Sequence, residues 1–163
     1  MPEAMTRSAT AKTRPKTKKG SDMGQVWQDL AVSNELDVGK AREGTLPKNQ
    51  VRKVVVRALV DTGATMLALP REVIRQLGLF RKRTVPTLLG DGKLHRRTVW
   101  SVVTVRALRR EAVVEVVEAP PGVPPLLGQL PLEALDLLVD TKAQRLVPNP
   151  ASPDPKQAVV YML

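Results

Sequence analysis

The run VRKVVVRALV, residues 51–60, constrains the fold more than any other stretch of this chain. Val54, Val56, Ala58 and Val60 alternate along it, which places four apolar side chains on one face of an extended strand. β-Branched residues suit that geometry because their stiff side chains pack well on a pleated surface. The strand then runs straight into Asp61-Thr62-Gly63-Ala64-Thr65. A strand that ends in an acid and a glycine turn carries a carboxylate to the rim of a sheet. The chain is therefore expected to be mainly β, with Asp61 at a strand end. Its core must be aliphatic, because 42% of the 163 residues are hydrophobic while Trp27, Phe80, Trp100 and Tyr161 are the only aromatics.

The flanking sequence divides the chain into three parts. Residues 1–22 carry six basic and two acidic side chains without hydrophobic periodicity, so ordering them would not be repaid by burial, and they read as a disordered basic tail. Residues 23–148 read as one folded domain. Residues 149–163 read as a proline-rich extension, with AVVYML as a short last strand.

Within the domain, MGQVWQDLAVS is a first strand, and the glycine and proline of REGTLPKN separate it from the second. TMLALP is a short extended segment. In REVIRQLGL the residues Val73, Ile74 and Leu77 share one helical face, with Pro70 at the start and Gly78 at the end. TVPTLLGDGKLHRRTVWSVVTV reads as a hairpin about Gly90-Asp91-Gly92, and RALRREAVVEVVEA as a second one turning near 108–110. The order strand, glycine, Leu-Pro, helix then recurs: Leu126-Leu127-Gly128 is followed by Leu130-Pro131 and by LEALDLL, with Leu132, Leu135 and Leu138 as its core positions. Two strands about a turn, in LLVDTKAQRLVP, close the domain.

Several function classes find no support. The chain has no cysteine, so neither disulfides nor thiolate metal sites hold it together. His95, the single histidine, has no Ser/His/Asp or HExxH companions and reads as a solvent-facing residue. No apolar run approaches the roughly 20 residues of a membrane span, and the expectation is a cytoplasmic protein without membrane contact. The net charge of +10 invites a nucleic-acid partner. Without an aromatic stacking platform, however, such binding is expected to be at most accessory, through the basic tail. Residues 81–110 carry nine basic side chains against the single Asp91. They read as solvated strand faces, with steering of acidic peptides as the sharper alternative.

The apolar strand into Asp61-Thr62-Gly63-Ala64-Thr65, Leu69-Pro70 before a helix, the glycine-flanked hairpin tip, and Leu126-Leu127-Gly128 before a second helix occur in an order that resembles the retropepsin-like aspartic proteases, especially their small bacterial branch. The resemblance covers roughly residues 51–148. It implies a mainly β acid-protease half-barrel with one or two short helices, active as a two-fold homodimer on a polypeptide substrate, with no cofactor and no metal. It implies Asp61 as the catalytic residue, Thr62, Gly63 and Ala64 as its turn, Gly90, Asp91 and Gly92 as a flap, and Leu126, Leu127 and Gly128 as a supporting turn. It also gives the Thr62 hydroxyl a role in bonding across the paired turns.

The chemistry accounts for these residue types. Peptide hydrolysis by water needs a base to activate the water and an acid to protonate the carbonyl, and two carboxylates about 3 Å apart that share one proton supply both. Gly63 is expected to adopt torsions closed to other residues and to let two turns approach closely. One acid makes no dyad, and Asp140 in LVDTKAQ is a poor second one, because Lys142 stands where glycine is needed and the segment follows the second helix. It reads as a strand ending in a polar turn. The partner is therefore expected to be Asp61 of a second copy, since a two-fold axis places a residue beside itself. Ala64 cannot donate a hydrogen bond to the ionised acid as a serine could, so activity is expected nearer neutrality than in digestive aspartic proteases. The competing reading is a dimeric peptide- or protein-binding module of the same fold with little catalysis.

Overall fold

The computed structural model describes residues 24–162, so the tail read at 1–22 lies outside the described residues. The strands are β1 (Trp27–Asn34), β2 (Lys53–Val60), β3 (Leu67–Leu69), β4 (Arg81–Leu88), β5 (Leu94–Ala107), β6 (Arg110–Glu118), β7 (Leu126–Leu127), β8 (Leu137–Asp140) and β9 (Arg145–Pro148). The helices are α1 (Glu35–Arg42), α2 (Arg71–Leu77) and α3 (Gln129–Leu135). Seven strands form one sheet in the order β1-β2-β7-β3-β6-β5-β4, and β1 pairs with β5 as well. That additional pairing closes six strands into a ring and leaves β4 attached to the outside of β5. Strand β5 can serve both parts because it is 14 residues long: residues 94–100 pair with β4, and residues 103–106 pair with β1 and β6.

The alternation read in residues 51–60 is present: Val56 and Ala58 are buried, and Val54 and Val60 pack against the core from its margin. Leu30 and Val32 of β1, Val103 and Val105 of β5, Val116 of β6 and Leu127 of β7 fill the ring from the other strands. At about 25 cal/mol per Å² of apolar surface, burial of such side chains is the main stabilising term. Helix α2 begins after Pro70 and ends at Gly78, whose φ of 62° is the left-handed conformation a helix stop uses. Ile74 and Leu77 are buried and Val73 is half-buried, as the helical face predicts.

The fold differs from the sequence expectation at three places. Helix α1 is an addition to the one or two helices expected. It has no apolar face, and its only buried residue is Asp37. It is held by polar bonds instead: the Asn34 side chain accepts from the Leu36 and Asp37 N–H groups at 3.0 and 3.3 Å, and its amide donates to the Leu77 carbonyl at 2.8 Å. The Asp37 carboxylate takes Arg52 Nε at 2.7 Å and Nη2 at 2.9 Å, and these hydrogen bonds hold its carboxyl below the usual carboxylate range. Leu138 is a strand residue of β8 and exposed, where a buried helical position was expected. Helix α3 stops three residues earlier because Asp136, with φ of 52°, turns the chain out of the helix. Finally, residues 158–162 form no strand within this single chain. Among the described residues no helix is long and apolar enough to cross a membrane.

Candidate active site

Asp61 is placed by its neighbours in the sheet. Strand β7 runs parallel to the end of β2, pairing Leu59 with Leu126 and Val60 with Leu127. The Asp61 N–H continues that ladder by donating to the Leu127 carbonyl at 3.0 Å. The chain then turns: the Ala64 N–H donates to the Asp61 carbonyl at 3.1 Å, and the Gly63 N–H donates to Asp61 Oδ1 at 2.9 Å. One carboxylate oxygen is thus fixed by backbone. Asp61 is half-buried, while Thr62 and Gly63 are exposed, so the turn presents the acid at the surface.

The role expected of Gly63 needs correction. Its φ lies outside the left-handed region, so no forbidden torsion demands glycine there. What a side chain would meet is the acid itself, because a Cβ at this position would lie 3.2 Å from Asp61 Oδ1. Gly128 is the position where glycine is obligatory. A Cβ there would collide with the Met66 carbonyl, with the Ala64 carbonyl at 2.7 Å and with the Met66 nitrogen at 2.9 Å. The next two N–H groups, of Gln129 and Leu130, donate to the Ala64 and Thr65 carbonyls at 2.8 and 2.9 Å. Groups that a helix start leaves without intrahelical partners are therefore satisfied by the Asp61 turn.

Asp61 to Ala64 and Leu126 to Gly128 are accordingly brought together, as two turns bonded backbone to backbone. The Gly90-Asp91-Gly92 tip is not brought to them within this chain. It ends the β4–β5 hairpin in the open, and neither glycine has anything within 4 Å of where a Cβ would stand. Gly92 has φ of 73° and donates to the Leu89 carbonyl at 2.9 Å, which accounts for the glycine. Asp91 accepts the Lys93 N–H at 2.9 Å and meets His95 Nε2 at 3.2 Å. These two bonds hold its carboxyl below its ordinary range. Asp140 ends β8, pairs in register with Arg145 and accepts the Ala143 N–H at 2.9 Å.

Sequence reasoning missed the residues behind the turn. Arg110, counted there among solvated basic residues, is 1% exposed. Asp136 and the segment after Pro148 join it at the far end of α3. A groove of about 510 Å³ in this region is lined by residues that include Thr62, Gln129, Leu132, Leu138, Val159 and Tyr161. No signal in the sequence sets Arg110 apart from Arg109. Asp136, by contrast, follows the helical run at the position where a left-handed stop belongs. Among the described residues no cluster of three His, Asp or Glu is placed to hold a metal ion.

The model of a family described as "gag-polyprotein putative aspartyl protease" matches residues 48–134, which is more than half of the 163-residue chain and includes both turns and the hairpin tip. No curated protein matches the chain. Among solved structures, the chain is similar to the EIAV protease complexed with the inhibitor HBY-793, with a TM-score of 0.38 and 23% identity over 48% of this chain and 75% of that one. It is also similar to the solution structure of the Simian Foamy Virus (mac) protease, with a TM-score of 0.40 and 17% identity over 65% of this chain and 90% of that one.

Proposed function

Because the chain belongs to the gag-polyprotein aspartyl protease family, we propose that it is an aspartic endopeptidase whose catalytic pair is Asp61 from each of two copies. The observation that carries this reading is the seating of Asp61. Its main chain is locked to Leu127 and its Oδ1 to the Gly63 N–H, while the acid stays at the surface of an exposed turn. A carboxylate held by backbone is pre-organised, and a surface position lets a second turn approach it.

With two Asp61 side chains adjacent, one ionised carboxylate takes a proton from water as the water attacks the peptide carbonyl, and the protonated partner donates to the carbonyl oxygen. Collapse of the tetrahedral intermediate returns a proton to the leaving amine. The pair titrates as a unit, because like charges at that distance resist joint ionisation. Thr62 lies beside Asp61 on the exposed turn and supplies the hydroxyl for bonding between the two turns. The β4–β5 hairpin closes over the bound peptide and limits water access. Among the described residues β4 pairs with β5 alone, which suits movement of the tip.

The test is cleavage of a diverse peptide library by the native chain and by Asp61→Asn, alongside sedimentation of both. The variant keeps the shape of the side chain and removes the acid. Loss of cleavage by at least about 10³-fold with the dimer intact is the expected result, since the variant removes both acid and base. Equal cleavage by the two chains, or cleavage by a chain that sediments only as monomer, overturns the reading. Binding of peptides without cleavage of any would assign the fold to peptide capture.

A further inference from the structure

Arg110 begins β6 and is the largest side chain buried almost completely, at 1% exposure. A guanidinium is seldom buried unless its charge and its N–H groups are answered. Here Nε and Nη1 find acceptors, while the buried Nη2 has none among the described residues. Nη1 donates to the Leu135 carbonyl at 3.2 Å, to the Asp136 carbonyl at 3.3 Å and to Asp136 Oδ2 at 3.4 Å. The two carbonyls belong to the last residue of α3 and to its C-cap, groups that a helix end leaves without intrahelical partners. Nε donates to the Pro155 carbonyl at 2.7 Å, in the segment after β9.

Asp136 gathers the same segment. Its Oδ1 accepts from the Asn149 side chain at 2.9 Å, its Oδ2 from the Val159 N–H at 3.0 Å, and its carbonyl from the Asn149 N–H at 3.0 Å. The opposite end of α3 is the end that binds the Asp61 turn, through Gln129 and Leu130 N–H and the close seat of Gly128. A seven-residue helix thus has one end bonded to the catalytic turn and the other to a buried cation. Pro131, Leu132 and Leu135 are buried along its length, so core packing lies between the two attachments.

We infer that Arg110 is a positioning residue for Asp61, acting through Asp136 and α3, and that residues 149–159 belong to the same positioning apparatus. The inference rests on the reading of Asp61 as catalytic, but its geometry is independent of catalysis. The segment after Pro148, outside the matched family region, thereby acquires a role: it supplies the carbonyl and N–H groups that keep the Arg110–Asp136 pair in one arrangement.

The experiment uses the full chain and two readouts. For a peptide cut by the native chain, Arg110→Met is expected to lower kcat by about 10²-fold, the size of a small misplacement of reacting groups, with KM within about twofold. Arg110→Lys, which restores charge and one donor, recovers part of the loss. Amide exchange at Gln129 and Leu130 is expected to quicken at least about tenfold, while amides of β1 and β5 keep their rates. If Arg110→Met does not fold, Asp136→Asn, which suits the left-handed φ, and Asn149→Ala are expected to give the same pattern at smaller size.

Unchanged exchange at Gln129 and Leu130 in a folded variant overturns the inference. So does exchange that quickens equally throughout the sheet, which would mark Arg110 as a general stabiliser. If the native chain cuts no peptide, the peptidase reading fails by itself, and the exchange rates still decide whether Arg110 holds the turn.

Discussion

The stretch from β2 through α2 and the stretch from β7 through α3 follow one plan: an apolar strand, a glycine turn and a short helix. They lie side by side, since β2 and β7 run parallel at Leu59–Leu126 and Val60–Leu127. Yet the two glycines face different surroundings. Gly63 is exposed, and only the Asp61 carboxylate stands near its missing side chain. Gly128 is walled in by the backbone of Ala64 and Met66. The first copy presents an acid outward and leaves space beside it. The second has no acid, and its glycine lets the first copy be held from behind. Repetition here has divided the work between a presenting turn and a bracing one.

That division can be broken at three points of decreasing effect. Leu127→Ala truncates a fully buried side chain at the base of the bracing turn. It is expected to cost about 2–5 kcal/mol, read from denaturant unfolding at constant m-value. Gly128→Ala forces a Cβ against backbone that cannot swing aside. The expected cost is about 1–3 kcal/mol, with a matching fall in melting temperature. Gly63→Ala should separate the two roles, since its torsions suit alanine and only the Asp61 carboxylate is crowded. Stability is expected to stay within about 1 kcal/mol of the native chain. Cleavage per folded molecule should fall further than stability does, which single-turnover assays would measure. Equal losses at Gly63 and Gly128 would erase the distinction between the two turns.

The smallest effect lies outside both copies and sets the scale for them. Glu115 on β6 is bridged by Arg83 and Lys82 of β4, whose hydrogen bonds lower its carboxyl to about 2. A depressed carboxyl contributes stability above its unfolded value of 4.5, and that contribution is lost as pH falls through about 2. Glu115→Gln is therefore expected to cost at most about 1 kcal/mol at neutral pH, because the pair is partly solvated. It should also flatten the acid limb of a stability–pH curve between those values, leaving the parts due to Asp37, Asp91 and Asp136, whose carboxyls are also lowered by their hydrogen bonds.

Much of this was legible in local sequence. Alternation gave β2, Pro70 and Gly78 bounded α2, and the tight second hairpin turns at Leu108 and Arg109, both with positive φ, where it was expected. These features depend on neighbours a few residues apart. What escaped depends on residues far apart. Asp37 and Arg52 make α1 stable without an apolar face, and nothing within ELDVGKAR announces their pairing. Gly128 owes its constraint to Met66, and Arg110 owes its burial to Asp136 and Pro155. The torsion expected of Gly63 is absent for a related reason, since a glycine in a sequence does not say whether torsion or space requires it.

Ring closure has one more consequence, for life at high concentration. Six strands of the large sheet have both sides paired in part, which leaves β4 as its free margin. A bare strand margin invites another chain to add to it and so to seed insoluble assemblies. The exposed margin here reads RKRTVPTL. Its three successive cations, two of them paired with Glu115 of β6, disfavour an identical neighbour, and Pro86 brings no N–H donor to this strand. The hairpin can thus stand out from the ring of strands without becoming a nucleus for aggregation.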